Sequence, residues 1–224
     1  MTGITVKELL SAEGTLAEKL LCSVTYPFEA LKKIGDYIKE IGPALDKEIY
    51  EERGENIWIA RSAKVAPSAS ITGPCIIGER TEVRHCAFIR GNALVGNDCV
   101  VGNSTELKNA VLIGTVQVPH YNYVGDSILG FHSHMGAGSI TSNVKSDKTL
   151  VVLKKGEERL ETGLKKFGAI LGDYVEVGCG TVLNPGTIVG KNTNIYPLSS
   201  VRGVIAPDSI YKNSGETVKK RHEC

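Results

Sequence analysis

The sequence contains no apolar run of about 18 residues and no signal-peptide pattern, so a soluble, cytoplasmic protein without a membrane partner is expected. It has no excess of one charge: 26 Lys and Arg stand against 25 Asp and Glu, a formal net charge of +1. That balance removes the electrostatic case for binding nucleic acid or an anionic bilayer. None of its six cysteines, Cys22, Cys75, Cys86, Cys99, Cys179 and Cys224, lies in a CxxC pair. A disulfide framework and a zinc site are therefore not expected.

What the chain does have is a repeat. Ten aliphatic residues recur at an interval of six: Ile59, Val65, Ile71, Ile77, Val83, Ile89, Val95, Val101, Leu107 and Ile113. The register is lost at Pro119 and returns as Leu171, Val177, Leu183, Val189, Ile195 and Val201. Four residues after each aliphatic of the first run stands a small or slim residue: Ala63, Ala69, Cys75, Thr81, Ala87, Ala93, Cys99, Thr105 and Val111. Cys75 and Cys99 serve there as compact hydrophobes. A period of six does not keep one face of a 3.6-residue helix, and a plain alternating strand would repeat every two residues. A large inward residue followed by a small one at a corner gives short strands joined by tight turns. Three hexads close one triangular coil of about 18 residues, and successive coils stack about 4.8 Å apart. The fold class read here is mainly β, a parallel β-helix with a short N-terminal α-helical segment.

The hexad pattern resembles the left-handed parallel β-helix of hexapeptide-repeat acyltransferases. The left hand is implied by the resemblance, since spacing alone does not give it and it runs against the usual crossover preference.

The chain divides into three parts. Residues 1–56 lack the hexad. Leu31, Ile34, Ile38 and Ile41 have helical spacing after Pro27, Gly42-Pro43 breaks that helix, and Leu45 and Ile49 point to a second short one. This segment is expected to cap the open end of the coil stack. Residues 57–206 are the β-helix, with an insertion near 145–167 whose charged run from Lys154 to Lys166 reads as an extruded loop or hairpin. Residues 207–224 form a tail that carries Lys219, Lys220, Arg221 and His222.

Where the repeat breaks, the chain reads Pro119-His120-Tyr121-Asn122-Tyr123-Val124-Gly125-Asp126, then Gly136-Ala137-Gly138-Ser139-Ile140-Thr141-Ser142-Asn143. A histidine there suits general base work near neutral pH; a hydrogen-bonded structural histidine is the other reading. His132 and His134 alternate along the chain, but core-facing or sugar-facing roles are expected and no metal is required. Arg90 and Lys108 are 18 residues apart, one coil, so they should stack about 5 Å apart at the backbone. Stacked cations repel unless an anion joins them, and a sugar phosphate suits the fork of an arginine. Two separately solvated surface cations are the alternative.

Arg90-Gly91, Glu106-Leu107-Lys108-Asn109 and the two strings above are together similar to one branch of that superfamily. This branch is the C-terminal acetyltransferase domain of bifunctional glucosamine-1-phosphate acetyltransferase/N-acetylglucosamine-1-phosphate uridyltransferases, in its archaeal-type variant. The resemblance covers roughly residues 57–206. It implies that His120 is the base that deprotonates the sugar amine and that Glu106 orients it. It implies that Arg90, Lys108, Tyr123, His134 and Lys148 contact the substrate. It further implies that Ala137, Asn143 and Cys179 hold acyl-CoA, and that Lys219, Lys220 and Arg221 bind its phosphates. Two departures stand out. His134 replaces an asparagine of the family, and no glycine-rich nucleotide signature precedes residue 57, so no uridyltransferase chemistry is expected.

The expected function is an acetyl-CoA-dependent N-acetyltransferase acting on an amino-sugar phosphate such as glucosamine-1-phosphate, in nucleotide-sugar biosynthesis. Acetyl-CoA is the co-substrate, and a homotrimer is expected from the flat faces of a triangular prism. The alternatives are an acetyltransferase for another amino sugar or sugar nucleotide, and a non-catalytic β-helix subunit of a separate nucleotidyltransferase.

Overall fold

The structure is a computed structural model and describes residues 1–221; His222 and Cys224 lie outside the described residues. From Ile57 onward the chain winds as a three-sided parallel β-helix. Three strands serve to define the faces. Cys75–Ile77 lies on the first face, Glu82–Val83 on the second and Phe88–Arg90 on the third. Each pairs in parallel with its counterpart one coil later: Cys75 opposite Ala93, Glu82 opposite Val100, and Phe88 opposite Glu106.

The core is the expected stack. Ile77, Val83, Ile89, Val95, Val101 and Leu107 are all at most 1% exposed, and the small residues Cys75, Ala87, Ala93 and Cys99 fill the corners between them. Corner threonines satisfy the next coil: the Thr81 hydroxyl donates to the Gly96 carbonyl at 2.8 Å, and that of Thr105 to Val118 at 2.9 Å. Burial pushes the thiols of Cys75 and Cys99 up to about 12.

The register shifts earlier than the sequence pattern places it. Between Leu107 and the next inward aliphatic there are five steps, not six, so Leu112 enters the core and Ile113 faces outward. Val124 and Leu129 repeat the five-step corner one coil later. The cause is local. The regular corner after Arg90 uses two left-handed residues, Gly91 and Asn92, with φ of 84° and 49°. After Lys108 and after Gly125 a single one suffices, Asn109 or Asp126, with φ of 51° and 47°. Asn and Asp tolerate this region because their short polar side chains bond locally. Strands Glu106–Leu112 and Tyr123–Leu129 therefore run continuously from the third face onto the first.

Residues 1–56 do not close the end of the prism. The outward side of the first face carries an apolar column, Trp58, Ile76, Leu94, Val111, Ile128, Ile170 and Ile188, in register from coil to coil. The N-terminal arm lies lengthwise over it, with Phe28, Leu31, Ile34 and Ile38 buried in the same cluster. Each such aliphatic is worth about 1.5–3 kcal/mol when buried, so covering the flank gains more than covering one coil end. The inward residues of the first coil, Val65, Ala69 and Ile71, stay half-buried. The arm has helices at Val6–Leu9, Glu18–Cys22 and Ile34–Ile41, and 3₁₀ turns at Pro27–Lys32 and Gly42–Ala44. Where Leu45 and Ile49 pointed to a helix, strand Tyr50–Gly54 pairs antiparallel with Ile57–Ala60 instead.

The insertion leaves the third face after Ile140–Thr141 and rejoins the first at Ala169–Leu171. It carries an antiparallel hairpin, Val152–Lys155 against Glu158–Glu161. Val151, Leu153, Leu164 and Phe167 are buried against the arm and the first face. The tail starts as a hairpin too, Ser209–Tyr211 against Thr217–Lys219.

Candidate active site

The third face carries most of the candidate site residues. Inward residues alternate with outward ones along its short strands, so Arg90, Glu106, Lys108 and Tyr123 all project from it. Leu107 pairs with Ile89, which sets Lys108 one coil above Arg90 as the spacing predicted. The two cations do not face each other bare. Arg90 Nη1 donates to Glu106 at 2.6 Å, and Lys108 Nζ donates to Asp126 at 3.0 Å. The Glu106 carboxylate beside Arg90 raises the pKa of the guanidinium further. Glu106 thus bonds Arg90, and no bond between it and His120 occurs among the described residues.

Asp126 is the hub of this corner and is 5% exposed. It accepts from Lys108, from Asn109 Nδ2 at 2.9 Å and from Asn143 Nδ2. Asn143 also donates to the Tyr123 hydroxyl at 3.2 Å. Burial, and then the carboxylates of Asp126 and Glu106, push the Tyr123 phenol above its ordinary value, so it stays a neutral donor. Asp126 and Asn109 had no assigned role in the sequence reading. No sequence signal marked them, because the five-step corner that turns one polar residue per coil toward the third face is not recorded in the hexad.

His120 ends strand Gln117–His120 on the second face, at the corner leading to Tyr123. Its backbone is fixed on both sides. The amide donates to Asn122 Oδ1 at 3.1 Å, and the carbonyl accepts from Gly138 at 3.0 Å. Asn122, itself buried, anchors the next coil through Gly136 and Ser139. The imidazole is exposed and has no side-chain partner among the described residues. Ala137 and Cys179, both exposed, follow on the same corner in successive coils. The carbonyls of His120, Ala137 and Cys179 accept in turn from Gly138, Gly180 and Leu198.

Other residues lie elsewhere. His134 sits on the second face with Nδ1 2.8 Å from Glu176 Oε2, which assigns the proton to Nδ1 in the neutral ring. His132 is not on that strand; it occupies a turn with its ring stacked on Tyr174 at 5.4 Å. Lys148 is exposed in a turn of the insertion. Lys219 lies in the terminal hairpin, and the Lys220 amide donates to Asp208 at 2.7 Å. Among the described residues, no group of three or more His, Cys, Asp or Glu could hold a metal, and no helix is long and apolar enough to cross a membrane.

With this geometry in view, residues 71–208 match the family model described as the GMPPB C-terminal domain. The chain belongs to that family. Its parallel β-helix is built of hexapeptide repeats. It is 33% identical over 211 residues to the "Bifunctional protein GlmU" of Methanococcus aeolicus, covering 85% of this chain and 51% of that protein. It is 29% identical over 103 residues to the bifunctional sugar-1-phosphate nucleotidylyltransferase/acetyltransferase of Sulfurisphaera tokodaii, covering 46% of this chain and 26% of that one. The chain thus spans about half the length, or less, of these curated relatives. Among solved structures, a mutant of perosamine N-acetyltransferase from Caulobacter crescentus, solved with CoA and GDP-perosamine, aligns with a TM-score of 0.38 at 17% identity. That alignment covers 70% of this chain and 52% of the other.

Proposed function

We propose that this chain is an acetyl-CoA-dependent N-acetyltransferase acting on an amino-sugar phosphate, with glucosamine-1-phosphate as the model acceptor. His120 takes the proton from the sugar amine as its nitrogen attacks the thioester carbonyl. The carbon–sulfur bond then breaks, and the proton on His120 passes to the departing thiolate. Arg90 and Lys108 hold the acceptor, Tyr123 donates to a sugar oxygen, and the Ala137 amide and Asn143 donate toward the thioester end of acetyl-CoA. Cys179 continues that corner, and Lys219, Lys220 and Arg221 lie toward the end where the CoA phosphates would be held. Three copies around a threefold axis would enclose the corner in a cleft.

One observation carries this reading. An exposed imidazole with no side-chain partner stands, held by its backbone, beside a face of cation–carboxylate pairs.

A second reading, a different amino sugar or sugar nucleotide, is favoured by His134, which is bonded to Glu176 on the second face. The test is thiol release from acetyl-CoA over a panel of amino-sugar phosphates, their unphosphorylated sugars and nucleotide-linked amino sugars. Turnover confined to phosphorylated monosaccharides supports the first reading. Turnover confined to nucleotide-linked sugars selects the second. No thiol release from any acceptor rejects both and leaves a non-catalytic subunit.

A further inference from the structure

The corner between the third and first faces opens into a cleft of about 450 Å³. Arg90 and Lys108 line it, and so do three lysines from outside the coils: Lys32 of the arm, and Lys165 and Lys166 of the returning limb of the insertion. The two sets differ electrostatically. Arg90 and Lys108 are each neutralised by a carboxylate, Glu106 and Asp126. Lys32, Lys165 and Lys166 have no carboxylate partner among the described residues; Lys32 Nζ has only the Gly163 carbonyl, at 3.4 Å. The uncompensated positive charge of the cleft therefore comes from the arm and the insertion.

The backbone that carries these lysines is anchored on both sides of the cleft. Lys32 follows Leu31, which is 3% exposed, and the Leu31 carbonyl accepts from Asn109 Nδ2 at 3.2 Å. Asn109 bonds Asp126 as well, so one amide ties the arm to the hub of the site. Lys165 and Lys166 lie between buried Leu164 and Phe167. The Phe167 ring packs on Phe28 of the arm at 5.7 Å, and its amide donates to Asn143 at 2.9 Å. Arm, insertion and coil thus lock together around the cleft. Three ammonium groups gathered on one cleft repel, and a dianion between them relieves that repulsion.

We propose that Lys32, Lys165 and Lys166 form the wall that binds the phosphate of the acceptor. In this arrangement the charge-neutral pairs Arg90–Glu106 and Lys108–Asp126 are left to meet the sugar. The arm and the insertion are then specificity elements for a phosphate monoester. The identity of the acceptor rests on the N-acetyltransferase reading, but binding of the anion does not.

The test is calorimetric titration of the full chain with inorganic phosphate and with glucosamine-1-phosphate at low ionic strength. The variants are Lys32→Ala, the double variant Lys165→Ala/Lys166→Ala, and the matching Lys→Arg set. A charge-assisted contact is worth about one factor of ten in Kd, so each Ala variant should weaken both ligands about tenfold. The Arg set should retain most of the affinity. The loss should shrink at about 0.5 M salt, and acetyl-CoA affinity should not change. Ala variants that fold, judged by an unchanged melting temperature, and bind phosphate as the parent does would overturn the wall. If the parent binds phosphate through these lysines but acetylates no amino sugar, the wall stands and the acetyltransferase reading falls. If it acetylates glucosamine-1-phosphate with a KM that the Ala variants leave unchanged, the wall falls and that reading stands.

Discussion

Cys75 and Cys99 show how a side chain's role here follows from its place in the coil. Both fill small corners of the core, and burial pushes both thiols up to about 12. Cys22, Cys86 and Cys179 are exposed. A thiol reagent at pH 8 should label the exposed three, mapped by peptide mass, and should reach Cys75 and Cys99 only after unfolding. Linkage fixes the sign at alkaline pH. Unfolded thiols lose their protons from about pH 8.5, whereas the buried ones keep theirs until about 12, so stability falls as pH rises through that window. The slope is about 1.4 kcal/mol per pH unit for each thiol at most. Denaturant melts showing equal stability at pH 8 and pH 10 would contradict this account of the corners.

Among the elements, the corner after Lys108 separates what could be read from the sequence from what could not. Nine of the ten leading aliphatics follow the hexad, because each regular corner spends the same number of residues. Ile113 departs because one left-handed asparagine replaces a two-residue turn, and a sequence pattern does not record how many residues a corner consumes. The same event turns Asn109 and Asp126 toward the site, which is why Arg90, Lys108 and Tyr123 were legible and Asp126 was not. The arm escaped for another reason. Only Ile34–Ile41 is long enough for its spacing to register; the other helices are about one turn long, although Thr5 and Glu8 form a capping box that the sequence spells out. The outward column from Trp58 to Ile188 sits beside the inward one, so the strands are apolar on both sides and nothing in the hexad distinguishes them. A pair of substitutions tests the shifted register. Leu112→Ser should disrupt the coil stack and abolish the cooperative β-sheet melt. Ile113→Ser should leave that melt in place and loosen the arm, seen as faster proteolysis within residues 1–56. Equal loss of the β-sheet melt in both would argue against Ile113 facing the arm.

At the scale of the whole molecule, the arm occupies one of the three faces and leaves the second and third for contact. Tyr121 and Leu198, 61% and 78% exposed, project at the corner those two faces share, Tyr121 next to His120 and Leu198 three coils further on. A homotrimer built around that corner would bury them and would place the imidazole in an intersubunit cleft. Light scattering at micromolar concentration should give three times the 24.0 kDa chain mass. A Leu198→Asp variant should shift the mass toward one chain and lose acetyl transfer with it, whereas a monomeric parent would remove the shared cleft. The central claim is that the third face and the His120 corner form one N-acetyltransferase site, and steady-state kinetics with glucosamine-1-phosphate and acetyl-CoA test it most directly. His120→Ala should lower kcat by about 10²–10⁴-fold with little change in KM, and Arg90→Ala should mainly raise the KM of the acceptor. Full activity in both variants would contradict the account.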